Sequence, residues 1–516
     1  METGIEETEI EPGAIAETVD TRASDAASAL GVSEEQPMQS RTRRESALAN
    51  RAFREAMTIR PGMRIHFIGI GGIGMSGLAS ICVDYGCRVS GCDAQLNGSA
   101  SRWAAREVMV STGHSPDHLE ATPDLVVYSS AVSEQEPELL QARVRKLPVL
   151  TRGELLAALA ADRRLVAVAG AHGKTTTSGM AAQLLLHAGW DPTVVVGGIM
   201  LSLGTNARFG HGSYLVAETD ESDGSFLHLF PRIAIVTNID REHLNHYQTF
   251  ERLTAAFEQF VSQIRPGGTL IRCCDDPLIR RLLTRSSQLS YGLDPSADVT
   301  VERLTLHGEG SWFRASYRGR SLGPFTLRVP GRHNVLNALG VISLGLTLEL
   351  PLVTIREALA SFKGTKRRFQ VFRLPSDIWL VEDYAHHPSE IQATLAADTV
   401  VGRRRLVVFQ PHRFSRTQSL EREFTTCFNR ADGVIVTDIY SAFEPPIPGV
   451  SGERLASLIK AQGHPWVRYM PKDSLRSYIH QMARPGDTIF FLGAGDIGEL
   501  CHDFFASLRS SERAAC

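Results

Sequence analysis

Lysine is missing from the whole stretch between Lys174 and Lys363, no apolar run reaches membrane-spanning length, and positive charge is in no surplus, the net charge being −3. Without a face-sized excess of Lys and Arg, nucleic acid is excluded as the main partner. The short basic run from Arg403 to Arg405 reads as a solvated loop. With no span of roughly 20 apolar residues, and neither a basic nor an apolar segment at the N-terminus, the chain reads as a cytoplasmic protein with no membrane partner. Its 8 cysteines lack zinc-type pairing, and the spacing of Cys82, Cys87 and Cys92 fits no tetrahedral site, which leaves reduced thiols. No segment points to an obligate protein partner.

What is present suffices for several cores. A chain of 516 residues, 43% hydrophobic and 22% charged, has the composition of globular proteins and room for about three or four domains. Residues 1 to 58, rich in Glu, Ala, Ser and Thr with arginines at 41, 43, 44 and 51, hold little that could build a core. They read as a mostly disordered tail with a helix near Glu45 to Met57, and carry no chemistry. Apolar runs of strand length then alternate with helical patterns, which predicts three α/β units in series at 59–160, 161–366 and 367–516, the first of them doubly wound.

The organising stretch is Leu165 to Ser178, LVAVAGAHGKTTTS. A β-branched strand ends in a glycine turn with one lysine and three threonines, and a helical pattern follows from Met180 to His187. Around Gly170, Ala171, His172, Gly173 and Thr176 the backbone N–H groups can close on phosphate oxygens; the helix N-terminus adds partial positive charge and Lys174 a full one. Thr175 is placed to hold Mg²⁺. The general G-x-x-x-x-G-K-[ST] spacing is not kept, because Val168 stands where the first glycine belongs.

Later strands of this unit end in Glu218 to Asp223 and Asn238 to His243, and strand carboxyl ends are where open α/β sheets hold ligands. Thr175 and Glu218 can share one Mg²⁺, and His243 with Glu218 a second; His243 reads equally as a satisfied polar residue at a turn. Position does not separate Asp220, Glu221 and Asp223, and Glu218 comes first after the buried strand. Upstream, Gly69, Gly71 and Gly74 form G-x-G-x-x-G behind a strand at Arg64 to Ile68, with Asp93 about twenty residues on. That pattern lets a diphosphate approach a backbone turn without saying whose. Asp124 to Ser130 reads as a buried strand ending in hydroxyls. Downstream, Asn334 just before a helix start is an N-cap or a reader of adenine, and Arg367 and Arg368 stand at a unit junction. Strands at Trp379 to Glu382 and Leu406 to Gln410 run into DYAHHP and QPHRFSR, whose Arg413 and Arg416 suit carboxylate or phosphate recognition, or a surface ion-pair cluster.

GIGGIGMSG, GAHGKTTT, ETDESDGSF, TNIDREH, GRHNVLNALG, GTKRRFQ, DYAHHPSE, QPHRFSRT and GAGDIG occur in this order, and with them the chain resembles the Mur ligases of bacterial peptidoglycan synthesis. The resemblance implies a Rossmann-like N-terminal domain for a UDP substrate, a central P-loop ATPase domain and a Rossmann-like C-terminal domain for the amino acid. It implies that ATP drives the joining of L-alanine to UDP-N-acetylmuramate with release of ADP and phosphate. These small molecules are then the partners, and ATP and Mg²⁺ the cofactors, with two ions and Mn²⁺ able to substitute. It reassigns Gly69, Gly71, Gly72, Ile73 and Gly74 from NAD to the UDP diphosphate, with Asp93, Ser129, Ser130 and Asn206 beside the same substrate. By the same resemblance Lys174 grips the β- and γ-phosphates, Thr175 and Glu218 hold the first metal, and His243 the second. Asn334 meets adenine, and Arg367 and Asp383 the rest of the nucleotide. Tyr384, His386, Arg413 and Arg416 lie near the reacting carboxylate and alanine; Lys174, Glu218, His243, His386 and Arg413 form the catalytic set.

The physical logic is that a carboxylate is a poor electrophile, because its oxygen will not leave. Moving the γ-phosphoryl onto it gives an acyl phosphate that an amine can attack. Roughly five negative charges meet on the way, so metal, Lys174 and arginine must offset their repulsion in the transition state. The amine's base stays open between His386 and His387, either of which can equally orient substrate. Sister ligases place a carbamylated lysine near the second metal, which the lysine-free segment forbids here; that fits the alanine-adding branch. Glu258 reads as a stand-in charge or a plain surface residue. Three rivals remain. A ligase attaching recovered peptide to UDP-N-acetylmuramate shares the chemistry. An NAD-dependent dehydrogenase rests on the glycine turn and Asp93 alone and leaves the phosphate loop unexplained, and a non-catalytic scaffold would lack one of Lys174, Glu218 or His243.

Overall fold

Among the described residues three β-sheets follow one another, each with apolar strands at its centre and more polar ones toward its edges. The computed structural model describes residues 58–515 apart from 97–102, 283, 399 and 401; the expected tail and its helix near Glu45 to Met57 lie outside the described residues. No helix among the described residues is long and apolar enough to cross a membrane.

The first sheet comprises β1 (Arg64–Ile68), β2 (Arg88–Asp93), β3 (Met109–Thr112), β4 (Leu125–Tyr128) and β5 (Val149–Thr151), in the order β3-β2-β1-β4-β5 with every pairing parallel. In β1, RIHFI, all but the first residue is buried, as a parallel strand covered on both faces requires. The order reverses between β1 and β4, so the glycine turn after β1 opens at the switch point where such sheets take ligands.

The second sheet has ten strands: β6 (Arg164–Ala169), β7 (Thr193–Met200), β8 (Thr205–Arg208), β9 (Tyr214–Glu218), β10 (Ile233–Val236), β11 (Thr269–Cys273), β12 (Ser287–Tyr291), β13 (Val299–His307), β14 (Gly310–Tyr317) and β15 (Arg320–Leu327). β6 lies between β9 and β10, parallel to both, so the ends of three neighbouring strands converge on the phosphate loop. Val166, Val168, Met180, Leu184, Val335 and Leu339 are among its buried core, with the helices Lys174–His187 and Arg332–Thr347 packed together.

The third sheet, in the order β16-β17-β21-β18-β19-β20, is built from β16 (Gln370–Arg373), β17 (Trp379–Asp383), β18 (Arg404–Phe409), β19 (Gly433–Val436), β20 (Val467–Tyr469) and β21 (Asp487–Leu492). Successive side chains of β18 point to opposite faces: Val407 and Phe409 join one apolar cluster, Leu406 and Val408 the other. Phe409 packs against Phe424 and Phe428; each such buried ring stabilises by about 1.5–3 kcal/mol.

The departures from expectation have local causes. β3, β8, β16 and β20 stand at or next to sheet edges and are short and polar, so no apolar run announces them. The helix expected from Met180 begins at Lys174, since Thr175, Thr176, Thr177 and Ser178 are all buried in its first two turns and Ser178 Oγ donates to the Lys174 carbonyl at 2.8 Å. Asn334 is not an N-cap: Gly331 is, and Asn334 sits inside the first turn.

The basic run at Arg403 to Arg405 is no solvated loop. Arg403 donates to Asp377 Oδ1 and the Asp487 carbonyl at 2.7 Å, Arg404 clasps the buried Asp487 carboxylate at 2.7 and 2.9 Å, and Arg405 Nε meets Asp398 at 3.1 Å. Three arginines thus tie β18 to its neighbours. Arg404→Ala leaves Asp487 with the Arg484 N–H but no cation, and should lower stability by about 1–2 kcal/mol after solvent screening of the half-exposed guanidinium; a denaturant midpoint measures it.

Candidate active site

β6 delivers the chain into the loop at Ala169, and the helix starts four residues later at Lys174. Gly173 takes φ +80°, and a Cβ there would press on Asn337 Oδ1, so the turn requires glycine. Ala171 N and His172 N are bonded to Asn238 at 2.9 and 2.7 Å. The N–H groups of the helix's first turn, which have no intrahelical partner, are left as donors at the end of the loop.

Lys174 curls back over this loop. Its Nζ donates to the Gly170 and Ala171 carbonyls at 2.5 and 3.0 Å and to Glu221 Oε1 at 2.6 Å. Burial disfavours the ammonium, but Glu221 and Glu218 outweigh it and hold the pKa above the usual lysine value. Glu218 accepts from Thr175 Oγ1 at 3.1 Å and Gly197 N at 2.6 Å; a side chain at Gly197 would overlap that carboxylate. Burial raises the Glu218 pKa, which Lys174 opposes.

The structure groups His243 with Glu221 and Glu242 rather than with Glu218. His243 Nε2 lies 3.5 Å from Glu221 Oε1 and 3.7 Å from Glu242 Oε2. Glu221 Oε2 is buried with no hydrogen-bond partner among the described residues, so an oxygen is left for a cation and the donor set fits one. Nothing in the sequence singles out Glu242, or separates Glu221 from Asp220 and Asp223. Glu258, in the helix Phe250–Ser262, is exposed.

A cavity of 180 Å³ lies between the loop and the helices Arg332–Thr347 and Pro388–Ala397, with His172, Gly173, Thr175, Thr176, Asn334 and Asp383 in its wall. Asn334 Nδ2 donates to the Pro330 carbonyl at 2.6 Å. Asp383 accepts from Phe369 N and Ala385 N at 2.8 and 2.7 Å, and burial pushes its pKa up to about 6. Arg367 does not enter this cavity: its guanidinium donates to the Gly493 and Gly495 carbonyls at 2.8 Å, with Nε 3.1 Å from Glu382. Arg368 lines it instead.

A larger cavity, 570 Å³, takes wall from all three sheets: Gly72, Ile73, Gly74, Ser129 and Ser130 from the first, Lys174, Thr175 and Glu218 from the second, and Arg367, Arg368 and Tyr384 from the third. Four expected substrate residues shape this wall rather than line it. Gly69 turns the chain at φ +85°, and Gly71 N donates to Asp93 Oδ2 at 2.8 Å. Asn206, buried on β8, donates to the Ile73 carbonyl at 2.9 Å and props the turn from the second sheet.

Arg413 and Arg416 share a third cavity, 370 Å³, with Arg241, Glu242, His243 and His387. His387 rather than His386 lines it. His386 Nδ1 lies 2.9 Å from the Tyr384 carbonyl, its ring stands edge-on to Tyr384, and burial lowers its pKa to about 3. Arg416 Nη1 is 3.2 Å from His412 Nδ1. His243, Arg367 and Arg413 all hold left-handed φ of +57°, +61° and +71°, conformations costing about 1–3 kcal/mol each that persist where surrounding structure imposes them.

The second and third sheets meet through His172. Its Nε2 is 2.9 Å from Asp240 Oδ2 and 3.0 Å from Ser389 Oγ, and its Nδ1 is 3.5 Å from Glu390. Burial opposes the imidazolium, but Asp240 and Glu390 raise its pKa to about 10.

A phosphate grip and an acidic shelf facing a shared cleft are the equipment of phosphoryl-transfer enzymes. Residues 64–164 match the Mur ligase family catalytic domain, 168–345 the Mur ligase middle domain and 367–495 the Mur ligase glutamate ligase domain. The chain belongs to the Mur ligase family. It is 47% identical over 437 residues to the UDP-N-acetylmuramate–L-alanine ligase of Anaeromyxobacter sp. (strain Fw109-5), covering 84% of this chain and 95% of that one. To the enzyme of that name from Sorangium cellulosum it is 46% identical, covering 86% and 96%. Among solved structures, the UDP-N-acetylmuramate–alanine ligase of Thermotoga maritima superposes with a TM-score of 0.76 at 31% identity, over 87% of this chain and 100% of that one.

The His172 contact generates a pH prediction. A folded pKa of about 10 against an ordinary 6.5 gives stability that is fully present below pH 6.5 and lost as pH rises through 10. Denaturant midpoints should fall over that interval, and His172→Gln should flatten the fall.

Proposed function

We propose that this chain joins L-alanine to the carboxyl group of UDP-N-acetylmuramate at the expense of ATP, through an acyl phosphate, in the making of peptidoglycan precursors. The observation that carries the reading is the 570 Å³ cavity, where the glycine turn of the first sheet, the phosphate grip of the second and Tyr384 of the third face one space. A nucleotide sugar entering past Gly72 to Gly74 would bring its acid toward Lys174, and an amine from the Arg413 side would approach the same carbon. We take the functional units to be 59–160, 161–366 and 367–516, with one sheet in each.

Lys174 would leave its Glu221 and carbonyl partners for the β- and γ-phosphates. Asn334, Asp383 and Arg368 suit the rest of the nucleotide, Arg368 replacing Arg367 in that role. Thr175 and Glu218 would hold one Mg²⁺, and His243 with Glu221 and Glu242 a second. Bound there, Mg²⁺ would offset charge between phosphate and carboxylate. Arg413 and Arg416 present a double positive charge suited to the carboxylate of alanine. His387, its pKa lowered by burial, is the neutral imidazole nearest that amine's approach and the candidate for its proton. Buried free thiols support a reducing cytoplasmic setting.

ADP release should require UDP-N-acetylmuramate and fall when alanine alone is omitted from a mixture of amino acids; release indifferent to both would reject the reading. Lys174→Ala should abolish turnover. Arg413→Ala should raise the KM for alanine or lower kcat, and unchanged kinetics would remove it from the site.

A further inference from the structure

We propose that the first sheet contains a binding site for a zinc-class divalent metal, made by His66, Cys92, His118 and Glu138, apart from the phosphate loop. The four side chains come one each from β1, β2, the short helical turn Pro116–Leu119 and the helix Pro137–Val144. Their ligand atoms all lie within 4.8 Å of one another, around the separations of roughly 3.3–3.8 Å that metal bonds of about 2.0–2.3 Å impose on a tetrahedral site. His66 Nε2 is 2.8 Å and His118 Nδ1 3.3 Å from Glu138 Oε1, and Cys92 Sγ is 3.1 Å from Oε2. One nitrogen, one nitrogen, one sulfur and one oxygen is a donor set that zinc accepts and that magnesium or calcium does not favour.

Charge and support agree with that assignment. A divalent ion with a thiolate and a carboxylate is neutral overall, which suits a site where Glu138 and Cys92 are fully buried. Binding would release the Cys92 thiol proton to solvent as the Sγ–metal bond forms, so affinity should rise with pH. The second nitrogen of His66 is already oriented, Nδ1 lying 2.8 Å from Ser90 Oγ, as a metal-ligating imidazole requires. His114 Nδ1, 3.1 Å from Sγ, can donate to the thiolate. Cysteine spacing along the chain could not reveal such a site, because only one of its ligands is a cysteine.

The site would act on the glycine turn. The Cys92 carbonyl accepts from Gly69 N at 2.8 Å and Ile70 N at 3.0 Å, so an ion on its sulfur would hold the strand end that shapes the turn.

Cobalt(II) titration of the full-length chain tests this. One cobalt per chain with a thiolate-to-metal charge-transfer band, displaced by equimolar zinc, is expected. Cys92→Ser should abolish the band, His118→Gln should weaken it, and Ser90→Ala should weaken zinc binding about tenfold. The His172 and His243 clusters contain no sulfur and cannot produce that band. A folded chain that shows no band, or keeps it in Cys92→Ser, would overturn the site and leave His66, Cys92 and His118 as hydrogen-bond partners of Glu138 alone. If Cys92→Ser does not fold, loss of the wild-type band on adding zinc, together with a zinc-dependent rise in Tm, decides in favour; a Tm indifferent to zinc decides against.

Discussion

The ion pair between Lys174 and Glu221, 2.6 Å long and nearly closed to solvent, is the constraint around which the other parts are arranged. A buried ammonium is tolerated only when paired and hydrogen-bonded, and two loop carbonyls and Glu221 do this before any phosphate arrives. β6 places the lysine, β9 supplies Glu218, and the irregular stretch beyond β9 supplies Glu221. The same Glu221 oxygen lies 3.5 Å from His243 Nε2, so one carboxylate joins the lysine of the loop to the histidine beyond β10.

The strand, glycine turn and helix around Lys174 and the glycine turn after β1 were legible in the sequence because each is a contiguous run, and Thr175 with Glu218 because each ends or follows a buried strand. The α/β class and its buried central strands were legible from apolar runs. What the sequence hid lies where backbone direction decides between neighbours. Arg367 takes φ +61°, which sends its guanidinium to the carbonyls of Gly493 and Gly495 and leaves Arg368 facing the 180 Å³ cavity. His386 and His387 divide similarly, the first held at Tyr384 and the second opening on the Arg413 cavity.

Asp93 and Asn206 show another limit. Both are polar, and both are near the 570 Å³ cavity, yet they hydrogen-bond Gly71 N and the Ile73 carbonyl. A polar residue next to a site is as often a support for its backbone as a contact for its ligand, and only the partners tell which. The arginines from 403 to 405 make the same point away from the site, since a charge run that looks solvated clamps a strand when acids from neighbouring segments lie opposite.

The second sheet runs from β6 to β15, and within those ten strands and their connections Lys174 is the single primary amine side chain. An acylating reagent carried on a nucleotide-like scaffold would therefore find one lysine side chain in that entire module, at the wall of the shared cavity, and would reach its amine only once the pairing with Glu221 is broken. Lys366, outside that module, is the other lysine on the same wall, so in a Lys366→Arg chain covalent tagging there would report on Lys174 alone, a selectivity that follows from composition rather than from reactivity.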